Sequence, residues 1–202
     1  MNASHSQPPA GLGATAGTGD AWSGFVEVTG GRLWAECAGA GPGVVLVHAG
    51  IGDSRMWDPQ WDALAAHGRV VRYDCRGFGR SETSDVAFSN RADLLAVMDA
   101  SGLSRATLVG ASRGGAVAID TALEFPDRVT ALVSVGGGIG GLPAQFTEHE
   151  RTMYERSETL WQDKAWEAAA DLDLALWVDG AEASPGRASL GVRAFVRRMI
   201  LD

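Results

Sequence analysis

ATLVGASRGGAVAIDTALEFPDRV, residues 106–129, decides how this chain is read. An apolar run suited to a strand leads into Gly110-Ala111-Ser112-Arg113-Gly114, and a helix-forming run follows. A serine on a sharp strand-to-helix turn sits in strained backbone and presents its hydroxyl outward. The residues two before and two after must then be tiny to avoid collision, and Gly110 and Gly114 meet that need. Gly115 adds room for close packing of the helix. A helix opening after Ser112 aims its free amide N–H groups, and the positive end of its dipole, at any anion forming there. In a chain with 27 glycines the bare pattern would arise by chance. The strand before it and the helix after it give it meaning.

Outward from this turn, strand and helix alternate. Residues 24–39, GFVEVTGGRLWAECAG, alternate apolar and polar around Gly30-Gly31 and predict a hairpin. GVVLVH (43–48) is a continuous apolar run, typical of a strand buried on both faces. Residues 55–68 read as a helix with Met56, Trp57, Trp61 and Leu64 on one side and Gly68 as its stop. RVVRYD (69–74) predicts a strand. Residues 89–103 predict a helix with a Ser/Asn start, an apolar face of Leu94, Leu95 and Met98, and a stop at Gly102. A strand over 105–110, a helix over 113–125 and a strand over 128–135 complete the series. Such alternation with short loops means the α/β class: a mostly parallel sheet with helices on both faces.

After residue 141 the rhythm changes to charged, aromatic, helical sequence. Thr147 with Glu150 spells a capping box. The expected organisation is a disordered tail over 1–21, a core of six strands over 22–141 and a helical segment over 142–202. GGGIGG (136–141) matches a dinucleotide-binding pattern, but Pro143 follows at once and no helix-forming run opens at its last glycine, so it is read as a loop.

Bulk properties exclude several partners. The 202 residues suffice for one sizeable core. A net charge of −8 disfavours nucleic acid and anionic membranes, both of which select basic patches. No apolar run reaches the length of a bilayer span. The first 22 residues carry neither Lys nor Arg nor an apolar segment, so they do not read as a secretory signal. Two cysteines, Cys37 and Cys75, make no disulfide framework and fit reduced thiols in a cytoplasmic protein.

Four segments together resemble the α/β-hydrolase superfamily, in its esterase, enol-lactonase and C–C hydrolase branch. They are LVHAGIGDSRMWDPQW (46–61), VRYDCRGFGRSE (71–82), LVGASRGGAVA (108–118) and FPDRVTALV (125–133). Their order and spacing are specific for the fold and unspecific for substrate. The resemblance implies an α/β-hydrolase core with a partial helical cap, and Ser112 as the nucleophile. It implies an oxyanion hole made by the backbone N–H groups of Gly50 and Arg113, with Gly110 and Gly114 as the elbow glycines. Alanine at 49 replaces the family's usual glycine. His48 would shape this loop and transfer no proton. Asp74, Arg76 and Ser81 would hold the following loop together. The side chain of Arg113 is read as solvated, and Trp161, Trp166 and Trp177 as cap-packing residues. No metal or organic cofactor is implied, and serine at the elbow argues against chemistry that uses a carboxylate nucleophile.

The family's order is Ser, then Asp or Glu, then His, with the acid and the histidine after its last two strands. Here no histidine follows His149, which reads as a solvated residue in the first turn of a helix. Nucleophile and oxyanion hole are present without base or orienting acid, so the last two strands are expected to be missing and the chain to be a truncated form. The strand over 128–135 would then be an exposed apolar edge open to self-association. Two functions fit. One is a serine hydrolase acting on an ester, lactone or related small carbonyl substrate through an acyl-enzyme on Ser112, inactive or impaired in this form. The other is a non-catalytic ligand-binding or interaction fragment of the same fold.

Overall fold

The computed structural model describes residues 21–142, 145–183 and 186–202. The tail expected over 1–21 therefore lies almost wholly outside the described residues. Seven strands form one sheet: β1 (Trp22–Val28), β2 (Gly31–Ala38), β3 (Gly43–Val47), β4 (Arg69–Tyr73), β5 (Glu82–Thr83), β6 (Ala106–Ala111) and β7 (Val129–Val135). Their order is β1-β2-β4-β3-β6-β7, with β5 paired to β2 off that path. The β4, β3, β6 and β7 strands are joined in parallel, and the β1–β2 hairpin is added antiparallel.

The hairpin turns at Thr29-Gly30, since Val28 pairs with Gly31, so Gly31 belongs to the strand. Along β2, Leu33, Ala35 and Cys37 point into the core, and the residues between them are partly exposed. In β3 and β4 both faces are covered, and Val45, Leu46, Val47, Val70 and Val71 are fully buried. Each such side chain contributes about 1.5–3 kcal/mol.

Two layers of helix cover the sheet. One face packs α2 (Asn90–Ala100) and α3 (Arg113–Glu124) through Leu94, Val97, Met98, Val117 and Ala118. The other face carries α1 (Asp58–Ala65) and a preceding 3-10 turn, Ser54–Trp57, through Trp57, Met56, Trp61 and Leu64. That element was expected to be one helix over 55–68. Pro59, which lacks an N–H, lies in the first turn of α1 and separates it from the 3-10 turn, and the α-helix ends at Ala65. Ser89 caps α2, its hydroxyl accepting from Ala92 N, and Gly102 follows the helix in the left-handed region at φ +69°.

The six-strand expectation undercounts by β5. Two residues carry no readable alternation. The strand forms because the loop folds back on β2, where Glu82 takes two hydrogen bonds from Arg32 at 2.9 and 2.5 Å.

Beyond β7 the chain is helical: α4 (Glu148–Gln162), α5 (Trp166–Asp173), a π-helical turn (Leu174–Gly180) and α6 (Leu190–Leu201). The capping box is present, with Glu150 N donating to Thr147 Oγ1 at 3.1 Å and Thr147 N to Glu150 Oε2 at 2.8 Å. Arg193 of α6 pairs with Asp179, and Arg197 with Asp171 and Glu167. Met199, buried, lies against Gly52, and Arg55 pairs with Asp202 at 2.6 Å. The end of α6 thus packs back onto the loop after β3. No helix among the described residues is long and apolar enough to cross a membrane.

Candidate active site

Strand order places the site. The chain runs from β3 outward to β4 and then returns to the far side of β3 to form β6. In such a sheet a crevice opens beyond the C-terminal ends of the two strands where the order reverses. Those strands are β3 and β6, paired in parallel with Val47 opposite Gly110. His48-Ala49-Gly50 leaves the end of β3, and Ser112 leaves the end of β6. The topology therefore brings together two segments that lie about sixty residues apart.

Ser112 adopts φ 49°, ψ −118°, a left-handed conformation rare for a residue with a side chain. Such strain costs about 1–3 kcal/mol and persists where its surroundings enforce it. Here Ser112 N donates to Val135 O of β7 at 2.8 Å, and Ser112 O accepts from Ala116 N of α3 at 3.1 Å. A Cβ on Gly110 would collide with the carbonyl oxygen of Gly114, and one on Gly114 with those of Val47 and His48. A Cβ on Gly115 would come within 2.7 Å of Ser134 Oγ and 2.9 Å of Gly137 Cα. These three glycines let α3 approach β3, β6 and the loop after β7 closely enough to form the elbow.

Gly50 and Arg113 adjoin. A Cβ on Gly50 would stand 3.5 Å from Arg113 Cδ and 3.6 Å from its Cβ. Among the described residues neither backbone N–H has a hydrogen-bond acceptor, and that of Arg113 lies in the unsatisfied first turn of α3. Ala49 N is occupied by Met56 Sδ at 3.2 Å, whereas Gly50 N remains free among the described residues.

His48 is buried, with both ring nitrogens engaged. Nδ1 donates to Ala49 O at 2.7 Å, and Nε2 accepts from Cys75 N at 2.8 Å. This pattern requires the neutral ring, and burial lowers its pKa below the usual histidine value. His48 thus ties the β3 loop to the β4 loop and has no nitrogen left for Ser112. His67 and His149 are exposed, and no histidine lines the cavity over Ser112 among the described residues.

The β4 loop is held as its sequence implied. Asp74 accepts from Ser54 N and Arg80 N, each at 2.9 Å, and Ser81 Oγ donates to Asp74 O at 2.5 Å. Arg76 grips Asp93 at 2.6 and 2.9 Å and reaches Thr29 O at 2.7 Å. Sequence reading had not assigned Asp93 as its partner. Cys75 is buried and its thiol is pushed up to about 11, chiefly by burial, so it stays protonated at neutral pH. No group of three or more His, Cys, Asp or Glu among the described residues is arranged to hold a metal.

A cavity of about 910 Å³ lies over Ser112. Its floor is Ala49, Gly50, Ile51, Ser112, Arg113 and Gly136, and its roof is α4, α5 and the π-helical turn. Two expectations are corrected here. Trp161 and Trp177 line the cavity rather than only packing the cap. The Arg113 guanidinium is turned inward, 4.9 Å over the Phe78 ring with Nη2 3.4 Å from Asn90 Oδ1, and Nη1 is buried without a partner. Sequence reading missed Tyr154, Ser157 and Asp173. The spacing of Tyr154, Ser157 and Trp161 along α4, three and four residues apart, was the available signal for one helix face.

A family model described as the alpha/beta hydrolase fold matches residues 42–170. The chain belongs to the α/β-hydrolase family. It is 42% identical over 112 residues to a 2-hydroxy-6-oxononadienedioate/2-hydroxy-6-oxononatrienedioate hydrolase of Burkholderia vietnamiensis, covering 52% of this chain and 38% of that one. Among solved α/β-hydrolase structures it is similar to a hydrolase from Pseudomonas aeruginosa, with TM-score 0.69, 28% identity and coverage of 89% of this chain and 66% of that one. It is also similar to the enol-lactonase from Burkholderia xenovorans, with TM-score 0.69, 26% identity and coverage of 88% and 67%. The matches span less than half the length of the first curated relatives and about two thirds of these solved structures.

Proposed function

We propose that this α/β-hydrolase chain carries the nucleophile and oxyanion-hole half of a serine hydrolase acting on an ester, lactone or related small carbonyl compound. The observation that carries the reading is the strained elbow. Ser112 lines the cavity from a left-handed backbone position, and Gly50 and Arg113, whose backbone N–H groups have no acceptor among the described residues, line it too. In the proposed reaction Ser112 Oγ attacks the carbonyl carbon and its proton passes to a base. The carbonyl oxygen becomes an oxyanion held by Gly50 N–H and Arg113 N–H. Collapse expels the alcohol and leaves an acyl-serine, which water then hydrolyses. Each oxyanion donor contributes about 3–4 kcal/mol to the transition state. No metal or organic cofactor enters this scheme. We assign the chain a cytoplasmic setting, supported by two buried free thiols, Cys37 and Cys75.

None of the described histidines is placed to take the Ser112 proton. Lack of a base costs on the order of a million-fold in turnover. A cavity of this size admits imidazole, so the test is chemical rescue. Hydrolysis of p-nitrophenyl butyrate should rise with neutral imidazole, well above the rate of the Ser112→Ala chain in the same buffer. Equal rates for the two chains at every imidazole concentration would overturn the reading.

A second reading is a ligand-binding module, carried by the cavity of about 910 Å³ over Ser112. Ligand-dependent stabilisation with no rescue by imidazole would select it.

A further inference from the structure

The cap wall of the Ser112 cavity carries a buried carboxyl group that no basic side chain meets among the described residues. Asp173, at the end of α5, is 7% exposed and lines the cavity. Its carboxylate accepts from Ser157 Oγ at 2.5 Å and from Trp161 Nε1 at 3.0 Å, both neutral donors. No Arg, Lys or His pairs with it among the described residues. A carboxylate has about four acceptor positions, so about half remain open. A buried charge is costly until a counter-charge or further donors meet it.

The rest of that wall has the same preference. Glu158 adds a second carboxylate. Tyr154 and Trp177 meet at 83° with centroids 6.3 Å apart, each about two-fifths exposed, and Phe146 backs both, stacked on Tyr154 at 6.2 Å and edge-on to Trp177 at 6.5 Å. Aromatic rings attract cations, and aromatic walls beside a carboxylate suit an ammonium group. Arg113, the one basic residue lining the cavity among the described residues, turns its guanidinium onto Phe78 and Asn90, and its one unpartnered nitrogen, Nη1, is buried away from the cavity surface.

We propose that the cavity over Ser112 selects ligands bearing an ammonium group, held between Asp173 and the aromatic faces of Trp161, Tyr154 and Trp177, and disfavours anionic ones. The inference rests on the proposed active site only in naming the ligand as an ester, with its carbonyl over Ser112 and its cationic end toward the cap. It gives the cavity a different charge preference from one built for a dicarboxylate.

The test is binding without turnover. Calorimetry on the Ser112→Ala chain compares butyrylcholine, its neutral isostere 3,3-dimethylbutyl butyrate, and the anionic monoethyl succinate. Butyrylcholine is expected to bind about tenfold or more tighter than the isostere, and the anion weakest. Adding Asp173→Asn should close the gap while leaving affinity for the isostere unchanged, which a collapsed cavity would not do. Equal affinity for cation and isostere, tighter binding of the anion, or a gap that survives Asp173→Asn would overturn the proposal. If that variant fails to fold, Glu158→Gln at an exposed position carries the test: the gap should shrink about twofold, and an unchanged gap counts against the proposal. Failed imidazole rescue with the cation preference intact removes the hydrolase reading alone. Rescue without the preference removes this one alone.

Discussion

Ser112 N–H donates to the carbonyl of Val135 at 2.8 Å, so the candidate nucleophile hangs directly from the last strand of the described sheet. The strained elbow is therefore a tertiary feature. Its φ of 49° is enforced by β7 on one side and α3 on the other, and three glycines let those elements close on it.

That dependence predicts that Gly114→Ala cannot be accommodated locally. The new methyl would meet the carbonyl oxygens of Val47 and His48, which are fixed in β3 and its loop. The expected loss is about 3 kcal/mol or more, at the upper end of overpacking costs. Urea unfolding of the variant and the parent chain measures it.

His48 predicts a pH dependence of stability. Burial holds its folded pKa below the ordinary value of 6.5. The unfolded chain therefore binds a proton that the folded chain refuses, and stability falls as pH drops below 6.5 toward the folded pKa. The slope from one such group is at most about 1.4 kcal/mol per pH unit. Thermal unfolding between pH 7 and 5 should show this fall, and His48→Gln should flatten it.

Arg76 and Asp93 form a buried pair, with side chains 1% and 7% exposed. Removing Arg76 strands the carboxylate inside the protein. Arg76→Ala should cost about 3–5 kcal/mol by denaturant unfolding. Arg32→Ala, at the exposed pair with Glu82, should cost under about 1 kcal/mol.

The outer edge of β7 predicts self-association. Leu132, Val133 and Val135 are 40%, 47% and 58% exposed, and β7 has a strand partner on one side only among the described residues. An apolar strand with an open edge is a pairing template. Sedimentation velocity should show association that grows with concentration, and Val133→Lys should reduce it.

The core was legible because its elements announce themselves locally. The run GVVLV, the Ser89 start and Gly102 stop of α2, and the Thr147–Glu150 capping box each appear where the residues placed them. The floor of the site was legible too, since the turn at Ser112 and the loop at Gly50 follow strands readable in sequence. The roof was not. Whether Trp161 and Trp177 face the core or a cavity depends on how α4 and the π-helical turn dock, which periodicity does not encode. The inward turn of Arg113 likewise depends on Phe78 and Asn90, residues remote in sequence. The two-residue β5 exists only through pairing.

The most direct test of the account is covalent capture of Ser112. A fluorophosphonate ester reacts by forming a P–O bond to a nucleophilic serine oxygen and expelling fluoride. The chain contains one lysine, Lys164, so few side-chain amines compete. With imidazole present, peptide mass spectrometry should find one phosphonyl group per chain, on the peptide holding Ser112, and none on that peptide after Ser112→Ala. A chain left unmodified at Ser112 under these conditions, or one labelled equally in the alanine variant, would contradict the account.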